Sequence, residues 1–144
     1  MDARRSIWPA FLSGLVGLGL IIGGMALPWV DGREGSTLPW RSVLPWDLAQ
    51  AEVQSMLASI ALPIVVAAGF CLLAILVRVR GLAIALSFVV LGLQIAWFAS
   101  EAFRRSRGDL LVSQLEVGAW LALLGAILVM VGAFLTPRWE PVVR

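Results

Sequence analysis

Histidine and tyrosine are absent from this chain of 144 residues, every basic residue is arginine, and cysteine occurs once, at Cys71. Without histidine, the commonest general base and the commonest metal ligand are missing. A single cysteine inside an apolar run excludes an intramolecular disulfide and argues against a metal site. Charge is also scarce. Only 14% of residues are charged, well below the level of an average soluble domain. The eleven arginines leave a net charge of only +2 in spite of a pI near 10.0. Nucleic-acid binding needs a clustered basic face, and only the short run at 104–107 concentrates arginine, so nucleic acid is not an expected partner. Phosphate-binding loops, dinucleotide fingerprints and metal-ligand spacings are missing, so no cofactor and no metal are expected. Nucleophilic catalysis needs an activated Ser or Cys beside a base, and the chain offers no such pair. Asp31 or Glu34 with Glu101 would make carboxylate pairs, but the same loops carry arginines that suit ordinary ion pairing. The expectation is a protein that is not an enzyme.

What is plentiful is apolar surface. Hydrophobic residues make up 60% of the chain and mean hydropathy is +0.95. A helix needs roughly 20 apolar residues to cross a bilayer, and four runs are long enough, at about 7–30, 56–77, 82–99 and 117–135. The chain therefore reads as one membrane domain, 1–144, with loops at 31–55 and 100–116. The expected fold is all-α: an integral membrane four-helix antiparallel bundle with a Trp/Pro-rich outer loop. Pro63 is expected to kink the second span, since proline frees the carbonyl four residues earlier. Asp47 with Gln50, and Ser113 with Glu116, read as capping boxes that start the second and fourth helices. The sequence Arg78-Val79-Arg80-Gly81 reads as a tight turn between spans two and three.

The first loop repeats one tripeptide. Leu-Pro-Trp occurs at 27–29, 38–40 and 44–46. Tryptophan concentrates where hydrocarbon meets water, and proline halts a helix. The repeat predicts a chain that leaves the bilayer, lies along its surface and re-enters. Arginine is nearly balanced between the two sides. The inner segments are shorter and hold their arginines closer to the span ends, which favours cytoplasmic N- and C-termini. The expected location is a multi-pass protein of the bacterial inner membrane.

Three sets of residues are candidates for function. Small residues come first: Gly118, Gly125 and Gly132 recur every seven residues in the fourth span, and the first span carries Gly19-x-x-x-Gly23 together with Gly14, Gly17 and Gly24. Close backbone approach drives helix association in lipid, so these glycines predict helix packing within the bundle, or a dimer interface. Intramembrane polar residues come second. Ser87 and Gln94 share one face of the third span, and a buried Gln has lone pairs and donors that hydrocarbon cannot satisfy. Gln94 is therefore expected to point inward, for interhelical bonding or along a substrate path. No ionised residue lies mid-span, which disfavours ion-coupled transport. The third set is aromatic: Trp29, Trp40, Trp46, Trp97 and Trp120 all fall on the outer side. They form either an interfacial belt or, with Gln94, an aromatic-walled ligand site.

Ala26-Leu27-Pro28-Trp29-Val30, the Arg-Val-Arg-Gly turn and the run Gly118–Ala126 together resemble the tryptophan-associated membrane proteins of actinobacteria. That family has four spans and is named for genes lying beside tryptophan-biosynthesis genes. The resemblance implies a context and no mechanism. The expected role is a non-enzymatic accessory or scaffold subunit. The alternative is a small-molecule binder or facilitator that takes an apolar or aromatic ligand on the Trp-rich outer face. Expected partners are the lipid bilayer and a membrane protein or second copy of the chain.

Overall fold

The computed structural model describes residues 6–43, 56–104 and 115–138. It is helical apart from one small hairpin. Helix α1 is Trp8–Met25, α2 is Ala61–Leu76, α3 is Arg80–Arg104 and α4 is Val117–Leu135. Strands β1 (Pro28–Val30) and β2 (Arg33–Glu34) pair antiparallel between α1 and α2. Short 3-10 turns follow at Gly35–Thr37 and Trp40–Val43, and another, Met56–Ala58, precedes α2. Three helices, α1, α3 and α4, are long and apolar enough to cross a membrane. At 16 residues, α2 is about 24 Å long, short of a hydrocarbon core of about 30 Å.

The fourth helix begins and ends where its apolar run does. The others shift for identifiable reasons. Helix α1 stops at Met25 instead of running on toward residue 30, because Pro28 cannot continue it and biases Leu27 away from helical geometry. Asp31 and Gly32 then take positive φ, 50° and 74°, in a two-residue turn that joins Val30 to Arg33. Asp-Gly is a preferred pair for such turns. Pro63 does not kink α2. It occupies the helix's third position, where its missing N–H would have had no intrahelical partner. Glu116 is not the third residue of a helix begun at Ser113. It is the extended residue immediately before α4, and Ser113 lies outside the described residues, as do Asp47 and Gln50. Helix α3 continues through residues 100–104, which contain neither glycine nor proline.

Between α2 and α3 the chain turns through Arg78 at φ 59°. Val79 N–H donates to Ala74 O (2.9 Å) and Arg78 N–H to Ile75 O (3.0 Å). This is a Schellman closure with arginine where glycine is usual.

Helices α1 and α4 run antiparallel along a seam of small residues. A methyl group on Gly17 would lie 2.6 Å from Gly125 O, and one on Gly125 would lie 2.5 Å from Gly17 O. Gly24 and Gly118 stand in the same reciprocal relation, each 2.7 Å from the other's carbonyl, and Gly132 meets Ala10 O at 2.7 Å. Seven residues forward on one helix thus correspond to seven backward on the other. Each glycine directs a Cα–H at the opposite carbonyl, a weak hydrogen bond that recurs at close helix contacts. Gly19 and Gly23 are not part of this seam: a methyl group on either would meet no atom of another helix within 4 Å. Their four-residue spacing cannot stay in register with a partner that repeats every seven. Ser13 Oγ adds a 2.7 Å bond to Leu128 O.

The other helices complete an antiparallel bundle. Cys71 Sγ lies 3.2 Å from Ala83 O between α2 and α3. Phe88 meets Phe134 edge-on near one end of the α3–α4 contact, and Phe98 meets Trp120 near the other. On α3, Ala83, Ser87, Val90, Gln94, Trp97 and Glu101 are all buried and share the inward face. Outward, the helices expose Leu15, Val16, Phe70, Leu73, Phe88, Val89, Leu124 and Ile127, among others. A soluble monomer rarely exposes so continuous an apolar surface.

Candidate functional site

The end of the bundle where α1 finishes and α4 begins is covered by the hairpin. Trp29 anchors it and is fully buried. Its indole Nε1 donates to Gly24 O at 2.8 Å, a second donor on a carbonyl near the end of α1 that also accepts Leu27 N–H at 3.2 Å. Gly35 passes across the same ring so closely that a methyl group there would lie 2.6 Å from the indole. Only glycine permits that approach. On its other side Trp29 meets Trp97 edge-on, with centroids 4.8 Å apart.

Main-chain bonds tie this cap to two further helices. Glu116 N–H donates to Trp29 O at 2.9 Å, and Val30 bridges Leu115. The Glu116 carboxylate accepts from Gly32 N–H in the hairpin turn. Ile60 N–H donates to Leu38 O at 2.9 Å, beside a bridge between Pro39 and Ser59. The first loop is therefore joined to the start of α4 and the start of α2.

Beneath the cap, Gln94 is fully buried. Its Nε2 donates to Ala122 O of α4 at 3.1 Å. Its Oε1 has no partner among the described residues, and neither does Nε1 of Trp97. These two atoms, one acceptor and one donor, belong to side chains one helical turn apart on α3. A buried polar atom left unsatisfied costs about 1–3 kcal/mol. Ser87, also buried on α3, is satisfied locally: its hydroxyl donates to Ile84 O at 2.7 Å.

The aromatic candidates separate into two groups. Trp29 and Trp97 come together with Gln94 in the interior. Trp40 is 51% exposed, with the Arg41 guanidinium 5.6 Å from its ring centroid. Trp120 is 41% exposed and turns its ring toward Phe98. Trp46 lies outside the described residues. Trp29, Trp40 and Trp120 therefore do not line a common pocket. Of the small-residue candidates, Gly118, Gly125 and Gly132 meet α1, whereas Gly19 and Gly23 face outward and are replaced by Gly17 and Gly24.

Sequence reasoning missed Glu116 as the link to the hairpin and Gly35 as the floor under Trp29. The Asp31-Gly32 pair was the available signal for the first, because it specifies a hairpin and therefore a turn whose N–H groups need acceptors. For Gly35 no local signal existed. Among the described residues no group of acidic, cysteine or histidine side chains is placed to hold a metal. No protein-family model, curated protein or solved structure matches this chain.

Proposed function

We propose that this chain is a multi-pass membrane protein of the bacterial inner membrane, acting as a non-enzymatic accessory or scaffold subunit with both termini cytoplasmic. The observation that carries the role is the closed cap. Trp29 fills the space in which an aromatic-walled pocket would have to open, and Trp40, Arg41 and Trp120 point outward. A rigid cap with outward aromatic and cationic groups is a recognition surface, since aromatic residues and arginine dominate binding energy at interfaces. The membrane assignment is supported by three spanning-length helices and the apolar surface around them. The orientation is supported by Arg78, Arg80 and Arg138 at the end opposite the cap. Proximity to tryptophan biosynthesis, implied by the family resemblance, is compatible with an accessory role and specifies no chemistry.

Affinity purification in mild detergent tests the role. A stoichiometric membrane-protein partner, reduced by Trp40→Ala or Arg41→Ala, is the expected result. Recovery of the chain alone under conditions that preserve the fold would overturn it. A second reading, a binder of a small hydrogen-bonding ligand, is favoured by the two unpartnered atoms of Gln94 and Trp97. Under that reading a ligand co-purifies with the wild type and is lost in Gln94→Leu.

A further inference from the structure

At the end opposite the cap, α1, α3 and α4 leave a cleft of about 440 Å³. Ser6 and Pro9 form one wall, Arg80 another, and Phe134 to Pro137 the third. Its chemistry is uneven. Arg80 brings a guanidinium with five donors in a planar fork, which matches phosphate oxygens. Ser6 Oγ accepts from Trp8 N–H at 3.3 Å, leaving its own hydrogen available to donate. Thr136 adds little, because its hydroxyl already donates to Gly132 O at 3.0 Å. The cleft therefore offers donors and a positive charge beside an apolar wall.

The described residues around it have the same sign. The described acids Asp31, Glu34, Glu101 and Glu116 all belong to the hairpin, the last turns of α3 or the start of α4, at the cap end. The charged residues described at the cleft end are Arg78, Arg80 and Arg138. The apolar wall also continues outward, since Phe134 and Leu135 are exposed on the bundle's surface. A ligand seated here would place an anion at Arg80 and hydrocarbon along α4.

We propose that this cleft seats the phosphate of an anionic phospholipid, with Arg80 as its cation and the acyl chains running along Phe134 and Leu135. The proposal rests on the membrane reading above. A soluble phosphate compound would share the headgroup chemistry, but it has no use for the apolar wall. Arg80 also lies near the last carbonyls of α4, which arginine commonly caps, so the test must separate lipid binding from capping.

The full chain is reconstituted in vesicles of mixed phosphatidylcholine and phosphatidylglycerol, floated on a density gradient, and extracted in mild detergent. Retained lipid is then measured by mass spectrometry. The wild type should retain phosphatidylglycerol about fivefold above its bulk ratio, the equivalent of about 1 kcal/mol for one cation at an anionic surface. Arg80→Gln should fall to the bulk ratio, while Arg78→Gln, outside the cleft lining, should stay near the wild type. Equal enrichment in Arg80→Gln overturns the proposal. So does loss of thermal stability in Arg80→Gln that is the same in pure phosphatidylcholine as in the mixture, which would mark capping alone. Displacement of the retained lipid by inorganic phosphate, but not by chloride at equal ionic strength, would assign the cleft to a soluble phosphate and overturn the lipid. Failure of the wild type to float would overturn the membrane reading itself, whereas flotation without enrichment overturns only the cleft.

Discussion

At the cap end, residues 27–43 fold back over the helices through a hairpin, two 3-10 turns and bonds to α2 and α4, whereas at the opposite end Val77, Arg78 and Val79 alone connect α2 to α3. The cap mixes acids with arginines, and the turn end displays arginine. Both ends must satisfy the same orphan carbonyls of helix termini. At the cap end Ala26 and Leu27 N–H close back on Gly23 and Gly24 O, and the Trp29 indole adds a second donor to Gly24 O. The turn does so with the next two backbone N–H groups. A long connection can be held only by tertiary contacts, while a short one is fixed by local geometry. Mutations should therefore matter most where order depends on one buried ring.

Trp29→Ala should have the largest effect. Removing a fully buried aromatic typically costs about 3–5 kcal/mol, and here one donor to Gly24 O is lost with it. Limited trypsin digestion should cut at Arg33 and Arg41 in this variant and leave the wild-type cap intact. An unchanged digest would show that main-chain bonds alone hold the hairpin.

Gly125→Leu comes next. Overpacking costs about 1–3 kcal/mol, and this site belongs near the upper end because a backbone carbonyl, not a flexible side chain, occupies the space. Its thermal transition in detergent should fall well below that of Leu124→Ala, an exposed position on the same helix. Gly23→Leu should behave like that control, since nothing faces Gly23. Equal shifts for Gly125→Leu and Gly23→Leu would refute the seam.

Glu116→Gln should loosen the cap by about 1 kcal/mol or less, because the bond to Gly32 N–H survives without its charge and is exposed. Hydrogen exchange at Gly32 would register the change, with the exchange of α2 unaltered. Arg78→Gly acts at the other end and in the other direction. It relieves a left-handed arginine that costs roughly 1 kcal/mol but adds freedom to the unfolded chain, so the net gain should be a few tenths of a kcal/mol. A measured loss would mean that the arginine side chain contributes more than its backbone costs. Trp40→Ala should be nearly silent in stability, within about 0.5 kcal/mol as for other surface changes. Its effect should appear only in partner recovery.

The apolar runs made the helices legible, and α4 kept both of its expected bounds because no proline or turn pair interrupts it. Bounds shifted at local breakers. Pro28 with Asp31-Gly32 ended α1, and Pro63 opened α2 instead of bending it. The glycine seam was half legible. The seven-residue repeat on α4 lies against α1, and its partner there shares that period, which Gly17 and Gly24 do and Gly19 and Gly23 do not. The tryptophans were least legible. Leu27-Pro28-Trp29 and Leu38-Pro39-Trp40 give the same local signal, yet Trp29 is sealed and Trp40 stands outside. That difference comes from Gly35, Gly24 and Trp97, residues near in space that no tripeptide can announce.

The seam between α1 and α4 also bears on how the chain is made. Its paired glycines come from opposite ends of the sequence, so during synthesis α1 is complete well before the surface its glycines meet exists. Until α4 is made, the glycine face of α1 lacks the partner it has in the finished bundle. Closure of the bundle is then a late and non-local event, the kind that slows folding and prolongs exposure of incomplete states.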